Sequence, residues 1–350
     1  MDIAYIGLDH HHRTPYLESI AQLDVTVTSA CEPAGFPVPD DVPNLTDATA
    51  FYTDPIELLN AEDTDLIWVT LSNTDAPEVI EAALERGVDV FTEKPVARTA
   101  NDLKPLLEAE RRSNAGVAVS YPWRAHPIAE KLRSLAASDF FGDVRAFDAR
   151  FVASQLAFRD ADHYLFDAAA SRGGIVQWLG VHWLDLVPWL LDDPIERVHA
   201  QTRSHTPAVD VEDGATVQIE TASGATGSLT CGYYLREGRY DTKIDVYGVD
   251  GRSEWDPVGP TFGFDGETTL KLDDASSNWE STSNRTITYE YDGAPGYGGC
   301  WGLRFIERSL DALASGSEPP VTLDDALAVL HVLDAVYESA ETGEWVPVDP

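Results

Sequence analysis

Three groups of residues in this 350-residue chain have the types and spacing to do chemistry. The first is Lys94. It follows the apolar run Val90-Phe91-Thr92 and Glu93, and precedes Pro95. Only five lysines occur in the chain, so one placed behind a buried-looking strand is not a routine surface charge, although a solvated lysine is the alternative. A lysine near another cation or away from water loses its proton more readily, which suits acid–base work. The second group is His182 with Asp185. They stand one turn apart in an apolar helical stretch and share a face, so the carboxylate can orient the imidazole. A packing histidine is the alternative. The third is Gly7-Leu8-Asp9-His10-His11-His12, directly after the first apolar run.

A strand–turn–helix at this place commonly carries G-x-G-x-x-G around a pyrophosphate. Here Gly7 keeps the first position, while Asp9 and His12 take the second and third. Asp9 sets a carboxylate where a phosphate usually lies. That repels unless the loop is remodelled or the histidines carry charge. Glu32, 25 residues after Gly7, stands where an acid binds the adenosine ribose, with a surface acid as the alternative. No arginine follows closely to receive a 2′-phosphate, so the expected cofactor is NAD, with NADP less favoured. Asp9 and three histidines have metal-ligand chemistry. Neighbours in one loop seldom converge on one ion, so no metal is assigned and a polar turn touching substrate or cofactor is expected.

These residues need elements to hold them. Ile3–Gly7, Val25–Cys31, Leu66–Thr70, Val88–Thr92 and Val117–Ser120 read as buried parallel strands. Helices are expected between them, one opening at Thr14-Pro15, one over Ala76–Arg86 and one over Thr99–Asn114. After a helix over 123–138 and another near Val176–Leu191, the pattern alternates polar and apolar. Strands are read at Val198–Thr206, Ala215–Thr221, Ala225–Tyr234, Lys243–Val249 and Thr286–Tyr291, with turns at Ser223-Gly224 and Asp250-Gly251. Two helices, about 302–315 and 323–342, close the chain. The expected fold is α/β: a doubly wound parallel sheet over 1–121 that binds the dinucleotide. An α+β domain over 122–350, with an open, mostly antiparallel sheet, would handle substrate and oligomerisation.

Sixty Asp and Glu against 24 Lys and Arg give a net charge of −36. The apolar fraction of 43% argues against disorder. Such a surface repels itself in dilute buffer and is screened at ~1 M salt, where the Debye length is about 3 Å. We read it as halophilic, and as unsuited to nucleic acid or anionic membranes. Cys31, Cys231 and Cys300 form no CxxC pair. With no basic, apolar leader at the start and no run of ~18 apolar residues, a cytoplasmic protein is expected.

Thr92-Glu93-Lys94-Pro95 closes the segment Ala82-Ala83-Leu84-Glu85-Arg86-Gly87-Val88-Asp89-Val90-Phe91. This resembles the helix–strand and E-K-P signature of the glucose–fructose oxidoreductase/inositol dehydrogenase (Gfo/Idh/MocA) family. Asp65–Asn73, Arg124 with Pro127, Gly142-Asp143-Val144, Gly173-Gly174 with Gly180–Asp185, Pro320–Thr322 and Ala335–Thr342 follow the family pattern in order. The resemblance spans nearly the whole chain. It implies that Lys94 lies beside the nicotinamide and the reacting carbon, with His182 as a second proton carrier. It also implies that Gly7, Asp9, His12, Glu32, Asn73, Glu93 and Pro95 line the cofactor cleft. Arg124, Trp178, Asp185 and His163 are the expected substrate contacts, with Asp160 and Asp162 as further acids nearby. The sequence departs from the family at the glycine loop, at Asp75-Ala76, and at Trp178, where an aspartate is common and an aromatic could stack on a sugar.

Three functions remain open. One is an NAD-dependent dehydrogenase of sugars, polyols or related hydroxy compounds. Another is redox-assisted glycoside cleavage. The third is a non-redox sugar- or metal-binding member of the fold. A homodimer or homotetramer is implied by resemblance.

Overall fold

The first strand, β1 (Asp2–Ile6), is buried along four of its five residues and becomes the centre of a parallel sheet. Around it lie β2 (Thr26–Cys31), β3 (Ala50–Tyr52), β4 (Leu66–Val69), β5 (Asp89–Thr92) and β6 (Val117–Val119), in the order β3-β2-β1-β4-β5-β6. This is the strand order of a dinucleotide-binding Rossmann sheet, in which the order reverses between β1 and β4. Strand β3 has three residues, too few for an apolar pattern to betray it. The structure is a computed structural model and describes residues 1–35, 45, 49–158, 163–258, 267–274, 283–291 and 293–349.

Helices α1 (Arg13–Ile20), α2 (Pro55–Ala61), α3 (Ala76–Glu85) and α4 (Ala100–Arg112) connect these strands. Thr99 caps α4 by accepting from Asp102 N. The start expected at Thr14-Pro15 is displaced: α1 begins at Arg13, with His12 at its N-cap and no side-chain cap bond. Pro15 fits because the first-turn amides need no helical acceptor.

The chain forms two compact units, Met1–Pro122 with Ala294–Leu330, and Trp123–Gly293 with His331–Pro350. The single division expected after residue 121 omits the return of 294–330 to the first unit. That return has a packing cause. Phe305, on the helix Gly299–Ser315, sets its ring against Phe91 of β5, and Val119 N donates to Val321 O.

The second unit holds a nine-stranded sheet: β7 (Val144–Ser154), β8 (Ile195–Arg203), β9 (Gly214–Thr221), β10 (Thr226–Leu235), β11 (Asp241–Gly248), β12 (Gly251–Trp255), β13 (Glu267–Asp274), β14 (Asn284–Glu290) and β15 (Val346–Pro347). All its pairings are antiparallel except β7 with β10. The helix expected over 123–138 is shorter, α5 (Pro127–Ala137), and is preceded by a 3-10 turn. After the short α6 (Ala168–Ser171), the stretch expected as one helix is split. Val176–Gly180 is a π-turn, in which Val181 N reaches back to Val176 O, and α7 (Val181–Leu191) continues from it. Among the described residues no helix is long and apolar enough to cross a membrane.

Candidate active site

Gly7 ends β1 with φ +102, a conformation side-chain-bearing residues avoid. A Cβ there would lie 2.6 Å from Thr70 O. Thr70, just past β4, donates its hydroxyl to Gly7 O at 2.6 Å. The two strand ends that flank the reversal in strand order are therefore tied together. In open α/β sheets this is where a ligand crevice forms. Asn73 follows on the same loop and is buried.

The loop after β1 is held from the end of β2 through Asp9, which is exposed. Its backbone amide donates to Glu32 Oε2 at 2.8 Å, and Glu32 Oε1 accepts from Ala34 N at 3.1 Å. Glu32 is thus at once the acid at the end of β2 and the brace of the loop. Arg13 Nη1 donates to Leu8 O at 2.7 Å. The geometry fits a dinucleotide at the first glycine and at the ribose-binding acid. Gly7 allows the tight turn after β1, while the second position, where the backbone nears a pyrophosphate, holds Asp9; Glu32, just past β2, is the acid expected at the ribose.

At the end of β5, Glu93 and Lys94 are both buried, 6% and 3% exposed. Glu93 Oε1 accepts from His12 Nδ1 and from Tyr16 Oη, each at 2.6 Å, while Oε2 accepts from Lys94 N at 2.9 Å. Tyr16 Oη also meets Ser120 Oγ at 2.7 Å. Burial opposes ionisation of Glu93, but His12 and Lys94 outweigh it and hold the carboxyl well below its usual range. Burial pushes Lys94 below the ordinary lysine value, against the pull of Glu93. His12 is likewise pushed down by burial, against the pull of Glu93, whose carboxylate meets its Nδ1. Pro95 follows across a cis bond and is buried.

His10, His11 and His12 each bring one ligand atom within 4.8 Å of the others. The turn before α1 thus gathers the three rings, and no metal is assigned to them. Two rings have other duties. His12 Nδ1 serves Glu93, and His10 Nδ1 accepts from His12 N at 3.1 Å.

In the second unit, Arg124 and Asp185 form a buried pair. Arg124 Nε lies 3.1 and 3.2 Å from the two Asp185 oxygens, and its Nη2 2.5 Å from Oδ1. The carboxylate expected to orient His182 thus also neutralises an arginine. His182 is buried, its ring 6.3 Å from Phe151. Trp178, expected to stack on a sugar, is 4% exposed and spends its indole N–H on Leu165 O at 2.9 Å. His163 caps the turn Tyr164–Phe166 by accepting from Leu165 N at 3.3 Å. Asp160 and Asp162 lie outside the described residues. Gly173-Gly174 is held by Glu212, which accepts from Gly174 N at 2.7 Å and Val176 N at 3.0 Å. A Cβ on Gly174 would lie 1.9 Å from Glu212 O.

Sequence reasoning missed Tyr16, Ser120, Tyr297 and Glu212. Tyr297 sets its ring 4.3 Å from that of His12. No local pattern marks it, since the two are brought together only by the fold.

Comparison with known proteins decides the family. Residues 8–121 match the profile "Oxidoreductase family, NAD-binding Rossmann fold", and residues 129–254 match the GFO/IDH/MocA C-terminal domain. The chain belongs to the GFO/IDH/MocA oxidoreductase family. A relative in Haloferax volcanii, D-xylose 1-dehydrogenase (NADP(+)) 2, is 28% identical over 84% of this chain and 83% of its own length. An inositol 2-dehydrogenase/D-chiro-inositol 3-dehydrogenase of Lactiplantibacillus plantarum is 26% identical over 71% of this chain and 68% of its own. Among solved structures, levoglucosan dehydrogenase with NADH and L-sorbose superimposes with a TM-score of 0.84 at 19% identity, covering 100% of this chain and 99% of that one. An oxidoreductase domain protein from Kribbella flavida gives 0.83 at 21% identity, covering 99% of each. This GFO/IDH/MocA chain is accordingly an NAD(P)-dependent dehydrogenase by family, built on the same fold as those structures.

Proposed function

We propose that this GFO/IDH/MocA protein uses NAD to oxidise a secondary alcohol or cyclic hemiacetal carbon of a sugar, polyol or related hydroxy compound, or to run the reverse reduction. The observation that carries this reading is Lys94, buried at the end of β5 with its backbone pinned to an ionised Glu93. Bound NAD supplies a hydride acceptor. Gly7 would shape the tight turn beneath it, and Glu32 would hold the ribose hydroxyls. Lys94 Nζ takes the proton of the reacting hydroxyl when neutral and returns it when charged. Burial pushes the amine below the ordinary lysine value, in the direction that eases loss of its proton. The resemblance gives His182 a second proton-carrying role, and Arg124, Asp185, Trp178 and His163 the neighbourhood of substrate. Sugar and inositol dehydrogenases among the relatives support the substrate class.

NAD is favoured over NADP because the Glu32 carboxylate would repel a 2′-phosphate. The Haloferax relative carries NADP(+) in its name, so both cofactors belong in the test. The test is a tryptophan-fluorescence titration with each nucleotide at ~2 M KCl, where charge repulsion is screened. We expect saturable NAD binding, weakened at least tenfold by Glu32→Ala, and NADH formation with some sugar or polyol. Failure of a folded sample to bind either nucleotide would sink the redox reading.

A further inference from the structure

The third-glycine position of the loop carries a histidine, and that histidine reaches the residue before Lys94. His12 Nδ1 lies 2.6 Å from Glu93 Oε1, and the side chains are 18% and 6% exposed. Its ring is clamped by aromatics, 4.3 Å from Tyr297 and 5.9 Å edge-on to Tyr16. Tyr16 shares the same Glu93 oxygen. The other oxygen, Oε2, accepts the amide of Lys94 itself. The path from loop to lysine is therefore one carboxylate long, and each oxygen of that carboxylate is occupied.

A glycine would remove the side-chain link between the loop itself and the end of β5, leaving Tyr16 of α1 on the same Glu93 oxygen. We infer that His12 is a positioning residue for Lys94: it tethers the loop after β1 to Glu93, so that the conformation of the dinucleotide loop fixes where the lysine stands. The inference rests on the reading of Lys94 as the acid–base group. Ligand contact in the loop is then transmitted to the lysine through a single short hydrogen bond, and loop and lysine become one rigid piece.

Two substitutions separate this from a packing role. His12→Phe keeps a ring against Tyr297 but removes the N–H. His12→Asn keeps an N–H close to the position of Nδ1 but removes the ring. Steady-state kinetics across pH, nucleotide binding and thermal melting are measured for both. If the tether holds, His12→Phe lowers kcat about tenfold or more and moves the pH dependence of kcat. It changes nucleotide affinity by less than about threefold, and His12→Asn recovers most of kcat and the native pH profile. Equal losses of melting temperature in both variants, with kcat and its pH profile unmoved, would overturn the tether and leave a packing histidine. Should His12→Phe not fold, ¹⁵N-histidine NMR of the native protein decides. An Nδ1–H tautomer at His12 supports the tether, and an Nε2–H tautomer overturns it. Lys94→Ala serves as the control: full activity there refutes the acid–base reading itself. Loss there with an unmoved His12→Phe variant refutes only the tether.

Discussion

Glu93 in the first unit and Glu212 in the second are both carboxylates buried among hydrogen-bond donors, and the two behave oppositely. Glu93, in the first unit, accepts from His12, Tyr16 and Lys94 N, and is held below the usual carboxyl range. Glu212, in the second, accepts from Gly174 N, Val176 N and Tyr337 Oη, yet burial pushes it above that range. Neutral donors alone do not offset the loss of water around Glu212. Glu93 has, in addition, the pull of His12 and then of Lys94 beside it. The same device, a carboxylate clasped by backbone and hydroxyl, thus closes a glycine turn in one place. In the other it joins a histidine, a tyrosine and the backbone of Lys94.

The largest effect expected from breaking this contrast is at Lys94. Lys94→Ala should lower kcat by roughly 10²–10⁴, the usual worth of an acid–base group, with circular dichroism unchanged. Residual activity near wild type would remove the lysine from the chemistry.

Glu93→Gln comes next. Removing its charge withdraws the pull that raises the lysine value, so Lys94 falls further and the pH limb it governs moves to lower pH. We expect a loss of about ten- to a hundredfold in kcat, the worth of a charged hydrogen bond. The native carboxylate, being held low, contributes stability above its unfolded value of about 4.5, lost as pH falls below it. Denaturant titration at pH 7 and pH 4 should find that part of the pH dependence gone in the variant.

His126 tests the same balance in a basic group. His126 is pushed down to about 3 by burial alone. Its Nδ1 accepts from Ile128 N at 3.1 Å and caps α5. Between about pH 6.5 and that depressed value only the unfolded chain takes the proton. The folded state therefore weakens as pH falls, by up to ~1.4 kcal/mol per pH unit. His126→Asn preserves the cap and should flatten that slope in urea titrations. An unchanged slope would place the acid sensitivity elsewhere.

The smallest effect on activity is expected at Glu212→Gln. A carboxyl whose folded value is raised stabilises below its unfolded value and loses that contribution as pH rises through the folded one. In the amide one of the two oxygens becomes an NH2 that cannot accept from the backbone N–H it faces, so stability at pH 7 should fall by about 1–3 kcal/mol, with kcat within about twofold. A collapse of activity there would mean that the glycine turn, and not only the lysine, is poised for chemistry.

Much of the first unit was legible because its central strands are buried on both faces and read as unbroken apolar runs. Strands β1, β2, β4, β5 and β6 all lie within a residue or two of where the sequence puts them. Strands β7, β12 and β13 went unread. Edge and solvent-facing residues break their pattern, as in the alternating burial of Arg145, Asp148 and Arg150 along β7. Lys94 was legible from scarcity and context. Its clasp was not, because His12, Tyr16, Ser120 and Glu93 come from four separate elements.

The sequence by itself determined the fold class, the Rossmann strand succession, the family and the lysine at the end of β5. Each of these depends on local pattern: apolar runs, turn residues and a motif of adjacent positions. Only the tertiary structure decided that Asp9's amide is taken up by Glu32 and that the third-glycine histidine reaches Glu93. It also decided that Asp185 is spent on Arg124, and that residues 294–330 return to the first unit. The reason is physical. A buried charge must find its partners in three dimensions, and which residues lie close enough to satisfy it depends on packing rather than on their separation along the chain.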